Sequence, residues 1–452
     1  MEKAPDSTVI QPRLRVFDLT VITASLIIGL GIFRVPVELA GKAQLPSIYF
    51  LAWILGAITS LFGALSFAEI GSRFPATGGF YKLFSYCYHP VLSFMINWIS
   101  LFANAGTAAL VAVIGADYIN PLLFPDLDRD IAVRITTIAS VVFLFVVNWA
   151  GIRMSSRVLN GLMMVKVGML LLLISIMFIA PGHPVEAPLP QLSTGQAIQA
   201  FALCFSPIFF SCGGYQMVIN FGSDIANPKR NMPRSILLGG IISFTLYLLV
   251  NISYVQVMGF EGLKHTTSLA VDMVHGLLGD AGAKFVAVVL FLAVLAYVNS
   301  SIMANPRVFY AMAEDGVMPP IFKRVNNKTQ VQEWALVLYV GTILLTLFML
   351  SSVQKILAFV MFFDSISLSL AVAAVFILRR RAKREGEPAD IYKMKWYPFM
   401  PLFYVIVYVA VNVSIMWEDP GNALVGFILF LLGWPLYHIV RRSVRKAAGA
   451  VQ

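Results

Sequence analysis

The sequence predicts an all-α integral membrane protein of about twelve transmembrane helices, arranged as two inverted repeats of five helices with the first helix of each repeat broken. Three observations carry this reading: the composition, the recurrence of apolar runs of spanning length, and the alternation of positive charge between them. Hydrophobic residues make up 59% of the 452 residues and charged residues only 12%. The mean hydropathy is +0.80. Soluble domains carry about 25% charged residues, so a stack of soluble domains is excluded.

Taken in order, residues 1–16 are polar, carry Lys3, Arg13 and Arg15, and lack a small-residue cleavage pattern. They read as a cytoplasmic tail, with no cleaved signal expected. Apolar runs follow at 17–42, 47–71, 90–118, 131–150 and 156–180, which make a first repeat over 17–181. Runs at 196–226, 234–258, 282–311, 334–352 and 355–379 make a second repeat over 196–380. Two more, at 398–416 and 421–440, form helices 11 and 12 over 398–440, and 441–452 is a basic C-terminal tail. Most runs are near the ~20 residues that cross a bilayer as a helix.

The charges test this order. With the N-terminus placed inside, 25 of the 33 Lys and Arg residues fall on the cytoplasmic side and 7 outside, with Lys166 inside a helix. That asymmetry predicts both termini in the cytoplasm. It also absorbs the net charge of +10, so no nucleic-acid partner is implied. The connections are too short to house a soluble domain, which puts binding within the bundle.

Two runs are interrupted. The first holds Gly29, Leu30 and Gly31 and then Pro36; the sixth holds Pro207 and then Gly213 and Gly214. Glycine and proline weaken a helix interior, and freed backbone groups at membrane depth are tolerated where they line a cavity or find partners. A single glycine pair would read as close helix packing. Two interruptions five helices apart point to a substrate site at the breaks. Half-helix N-termini there can hold a carboxylate and freed carbonyls an ammonium, which together are the zwitterion of an amino acid.

Two buried charges stand out. Lys166 lies nine residues from Arg157, ~13 Å deep at ~1.5 Å per residue, so a functional role is weighed above snorkelling. Asp364 lies nine residues from Lys355; it could carry a proton, meet a cationic substrate or be a satisfied structural acid. Arg34 and Glu38 have the spacing of an intrahelical pair. Glu69, Asp224, Arg307, Glu314 and Asp315 fall near the cytoplasmic face as candidate latches of an inner gate. Cys87, Cys204 and Cys212 read as packing residues, and the five scattered histidines suggest no metal site. No cofactor is implied, and no paired histidines, nucleophile elbow or phosphate-binding loop supports an enzyme.

These segments resemble the amino acid–polyamine–organocation superfamily. Ile28-Gly29-Leu30-Gly31-Ile32-Phe33 with Pro36 is similar to its helix 1 motif, and Phe74-Pro75-Ala76-Thr77-Gly78-Gly79-Phe80-Tyr81 to its segment between helices 2 and 3. Phe210-Ser211-Cys212-Gly213-Gly214-Tyr215-Gln216 resembles the helix 6 motif, followed by Asn227-Pro228-Lys229-Arg230-Asn231-Met232-Pro233. Asn305-Pro306-Arg307 and Ala313-Glu314-Asp315-Gly316 complete the likeness, which is nearest to the L-type (light-chain) branch and its bacterial relatives.

The resemblance implies the LeuT fold and a sodium-independent exchanger or proton-linked carrier of neutral L-amino acids in a cell membrane, a bacterial inner membrane by the kinship. A carrier of cationic amino acids or polyamines is the alternative, and a non-transporting sensor a further one. It implies a substrate carboxylate at Gly29, Leu30 and Gly31, and an ammonium near the carbonyls of Ile27, Phe210 and Gly213. Phe210 is then the gate, and Tyr215 and Gln216 flank the side chain. Lys166, with Asn299 and Ser300 on helix 8, takes the place of a sodium ion, and Asp364 is a further coupling candidate. Leu30 stands where the family has a small polar residue, and Arg34 where a small or apolar one is usual. Residues 119–130 contain no cysteine, so no disulfide-linked heavy chain is expected.

Overall fold

A computed structural model describes residues 10–29, 31–182, 190–266, 268–349, 353–387, 389–418 and 420–449. The helices are α1 (Val16–Ile27), α2 (Gly31–Ala43), α3 (Pro46–Arg73), α4 (Gly79–Cys87), α5 (Pro90–Leu123), α6 (Arg129–Trp149) and α7 (Ile152–Ile176). They continue with α8 (Thr194–Leu203), α9 (Phe205–Cys212), α10 (Pro228–Met258), α11 (Phe260–His265), α12 (Leu269–Ala304) and α13 (Pro306–Glu314). The last are α14 (Glu333–Met349), α15 (Val353–Glu385), α16 (Phe399–Glu418) and α17 (Pro420–Gly449). Among the described residues, ten segments are long and apolar enough to cross a membrane; Glu333–Phe348 is a shorter apolar helix, and the expected run at 421–440 lies within α17.

Local chemistry sets several helix starts. The His89 ring accepts from the Val91 amide, with Pro90 as the first residue of α5. Asp128 accepts from the amides of Asp130 and Ile131 and opens α6, while Ser193 and Gln196 form a capping box on α8. Each cap satisfies amides that have no partner within the helix.

The core sits where α10 packs along α3 and α1, and where α12 packs against α5 and α7. Its largest buried side chains include Trp53, Tyr215, Tyr247, Tyr254 and Tyr404. Large apolar side chains that remain exposed, such as Phe143, Met164 and Ile241, lie on helices of spanning length, as a lipid-facing surface requires. The three cysteines are buried and unpaired, in line with a packing role.

Candidate functional site

The first interruption ends α1 at Ile27. Ile28 takes ψ 77°, outside the helical range, and its amide closes back on Ala24. The carbonyls released there find two side chains. Tyr247 of α10 donates its hydroxyl to the Ile27 oxygen at 2.8 Å. Lys166 of α7 donates Nζ to the Ile28 oxygen at 2.5 Å, and the lysine is wholly buried. Ser25 Oγ donates to the Ala296 oxygen of α12 at 3.0 Å, tying α1 to α12 directly. The chain resumes as α2 at Gly31, where an added Cβ would sit 2.6 Å from Ser211 Oγ and 3.0 Å from its Cα. Leu30 lies outside the described residues.

The second interruption ends α9 at Cys212. Gly213 is extended (φ −80°, ψ −175°), and Gly214 takes φ +108°. A Cβ at Gly214 would collide with the Leu26 carbonyl, so this glycine lets the two breaks touch backbone to backbone. Gly213 has only ordinary contacts, the nearest being the Phe209 oxygen at 3.4 Å. It is therefore Gly214, and not its neighbour Gly213, that the close approach requires. Beyond the break the chain runs as the 3-10 helices Tyr215–Asn220 and Gly222–Asp224. Gln216 folds its Oε1 back onto the Gly214 amide at 2.8 Å.

A cavity lies between the breaks. Ile27, Gly29 and Gly31 form one wall, and Phe210, Ser211, Gly213 and Gln216 the facing one. Asn104 of α5, Ser301 of α12 and Asp364 of α15 complete it. Phe210 is half-buried on this wall, where a gate would stand. Asp364 has no ion pair or hydrogen-bond donor among the described residues and lines this cavity and an adjoining one. Asn104, Ser211 and Tyr247 were not singled out from the sequence. An asparagine inside the run at 90–118 was a legible signal; a tyrosine in an apolar helix was not.

The profile of the amino acid permease family matches residues 14–434. The chain belongs to this family. It is 25% identical to the serine/threonine exchanger SteT of Bacillus subtilis, over 96% of this chain and 97% of that one. It is also 25% identical to the human cystine/glutamate transporter, over 91% of this chain and 82% of that one. The rat large neutral amino acids transporter small subunit 2 is 25% identical over 91% and 78%. The permease is thus an amino acid transporter of the amino acid–polyamine–organocation superfamily, and not an enzyme.

Four expected contacts are placed differently in the permease. Asn299 faces α6 and α7: its Oδ1 accepts from Asn148 at 2.7 Å and Ser155 at 3.2 Å, so it does not bond Lys166. Ser300, its neighbour, is buried with its hydroxyl unpartnered. Tyr215 turns away from the cavity and donates to the Tyr404 hydroxyl at 3.1 Å. Glu38 pairs with Lys42 at 3.0 Å and not with Arg34, which is exposed. Both pairs have i,i+4 spacing, and the acid N-terminal to the base is the favoured order.

The charged residues read as candidate latches are paired. Arg307 meets Asp224 at 2.7 and 2.9 Å, lies 4.3 Å over the Phe221 ring, and also donates to the Met303 oxygen. Asp224's own carbonyl accepts from the amides of Arg13 and Leu14 at 2.8 and 2.9 Å. Lys82 reaches Asp315 at 2.5 Å and Glu314 at 3.5 Å. Buried Glu69 accepts from Arg73 at 2.8 Å, Arg379 at 2.6 Å and the Met394 amide at 2.9 Å. The two buried carboxylates among these, Asp224 and Glu69, each have both opposite charge and hydrogen bonds, which is what burying a charge demands.

Proposed function

We propose that this permease is a sodium-independent carrier of neutral L-amino acids, working by exchange or proton-linked uptake through alternating access. The observation that carries the reading is Lys166 Nζ on the Ile28 carbonyl. A fixed ammonium at the end of the first half-helix does the work of a bound cation: it stabilises freed carbonyls and ties α1 to α7. The substrate carboxylate then sits at the N-terminal end of α2, where backbone amides and the helix dipole favour negative charge. The α-ammonium faces the carbonyls of Phe210 and Gly213 at the second break, because the Ile27 oxygen is already held by Tyr247 and the Gly29 amide. Both termini lie in the cytoplasm in this reading, and no disulfide-linked partner is needed. Relatives named for exchange and for neutral amino acids support the same assignment.

A second reading has one observation behind it. Asp364 faces the cavity with no cation beside it among the described residues, and a cationic amino acid or polyamine would supply one. The test is uptake into liposomes containing the purified permease, in sodium-free buffer, with a competitor panel. Alanine, serine or leucine should compete without sodium. A steep sodium requirement overturns the role of Lys166, and stronger competition by lysine or putrescine selects the second reading.

A further inference from the structure

The central cavity does not end at the breaks. A second cavity adjoins it, sharing Asn104, Gln216, Asn305 and Asp364 as a polar collar. It continues past Asn97 and Ser100 of α5 toward Phe80, Asn220 and Phe309. The hydrogen bonds of its walls fix which atoms remain free. Asn305 Nδ2 donates to the Ser301 carbonyl at 2.9 Å, and a carbonyl can only accept. Its Oδ1 therefore faces Asn104 and accepts from that Nδ2 at 3.0 Å. The Asn104 oxygen is left unbonded among the described residues. By the same logic Asn97 Nδ2 donates to the Ser93 carbonyl at 2.8 Å and leaves Oδ1 without a donor; this residue is 1% exposed. Ser100 spends its hydroxyl proton on the Ile96 carbonyl at 2.8 Å. Asp364 adds a carboxylate with no partner among the described residues. Among the described residues, these acceptors stand beside the Gln216 amide nitrogen, whose oxygen is held by Gly214, and the second N–H of each of Asn97 and Asn104.

We propose that this inner cavity is the side-chain subsite of the permease and that it selects side chains bearing a hydrogen-bond donor. This rests on the amino acid carrier reading and narrows its substrate class to hydroxyl and amide side chains, of which threonine and asparagine are the probes. A bound apolar side chain would strip water from Asn97, Asn104 and Asp364 and return nothing, and unpaired buried polar groups are how a site rejects such an analogue. An acidic side chain would place charge against Asp364. A donor satisfies the collar, and an amide also returns an acceptor to Gln216.

The experiment is competition of threonine against valine, which have nearly the same shape, and of asparagine against aspartate, in liposomes containing the full chain. Threonine should compete at least ~10-fold better than valine, as expected where a site hydrogen-bonds a hydroxyl. Asparagine should exceed aspartate by as much or more. Asn104→Leu and Asp364→Asn should each lower the threonine-to-valine ratio. Equal competition by threonine and valine in the wild-type protein overturns the subsite while leaving the carrier reading intact. Uptake of no amino acid at all overturns the carrier reading instead. If lysine or ornithine competes best, the hydroxyl-and-amide class is overturned and the cationic reading of the site takes its place. Preference for aspartate or glutamate overturns it outright. The wild-type comparison decides the matter even where a variant fails to fold.

Discussion

The two interruptions are spelled alike, by glycines inside apolar runs, yet the chain leaves them in different ways. At the first, α1 ends and a second α-helix begins at Gly31, and the released carbonyls of Ile27 and Ile28 are taken by Tyr247 and Lys166 from distant helices. At the second, α9 ends and a 3-10 helix begins at Tyr215, and the local residue Gln216 satisfies the Gly214 amide. One break is supported from outside the segment and the other largely from within. The tertiary partners of the first break can be removed without touching its backbone. The second break has its constraint in the backbone itself, at Gly214.

The largest effect that tests this contrast is expected from Gly214→Ala. The backbone there has φ +108°, and the new Cβ would meet the Leu26 carbonyl of the opposite break. Left-handed strain and a backbone collision add, for a loss of about 4 kcal/mol or more. Purified Gly214→Ala should show a fall in thermal stability and no transport. Wild-type stability would mean that the breaks do not touch. Gly31→Val comes next. Its branched side chain would press on Ser211, whose Cα lies 3.0 Å from the Cβ position. Overpacking of this kind costs about 1–3 kcal/mol, so substrate affinity should fall about 10–100-fold while the protein still folds. Unchanged affinity in a binding titration would remove Gly31 from the site.

Lys166→Met keeps the length of the side chain and deletes the bond to Ile28. A hydrogen bond from a charged group contributes about 1.5–3 kcal/mol, which sets a transport loss of about tenfold or more. Stability should change less than transport, because the variant also removes the cost of burying an ammonium. Initial uptake rates and a melting curve on the same preparation check both halves. Equal loss in the two would make Lys166 a packing residue rather than a support of the break.

Positions of the breaks were legible because Gly29, Gly31, Gly213 and Gly214 interrupt otherwise apolar runs, and the depth of Lys166 and Asp364 because each lies nine residues from the nearest flanking charge. Direction was harder to read. Tyr215 and Gln216 both sit at the second break, but on a 3-10 helix neighbours point ~120° apart. Gln216 faces the cavity and Tyr215 faces Tyr404 of α16. Asn299 and Ser301 differ in the same way on α12: Asn299 turns to Asn148 and Ser155, and Ser301 lines the cavity. Sequence spacing gives the helix and the depth, and only packing decides the azimuth. Asn104 and Asn97 show the further limit, since the free atom of each amide follows from what its nitrogen donates to: the Ser93 carbonyl one turn away for Asn97, and the distant Asn305 side chain for Asn104.

The smallest effect should come from the residue beside the most sensitive one. From sequence, Gly213 and Gly214 are equivalent halves of one motif, and bulk at Gly213 reads as a block to close approach. Gly213 is extended, a conformation open to any residue, and its nearest contact beyond the neighbouring residues is the Phe209 carbonyl at 3.4 Å from the Cβ position. Gly213→Ala therefore introduces neither strain nor collision. It also reduces the freedom of the unfolded chain, which stabilises a compatible site by about 0.4–1 kcal/mol. Uptake should stay within about twofold of wild type, and the melting temperature should hold or rise slightly. The Gly213 wall of the cavity would gain one methyl group, so any loss should appear first with the bulkiest substrates. If Gly213→Ala is as damaging as Gly214→Ala, the second break is a flexible hinge that needs both glycines, and its contrast with the externally supported first break fails.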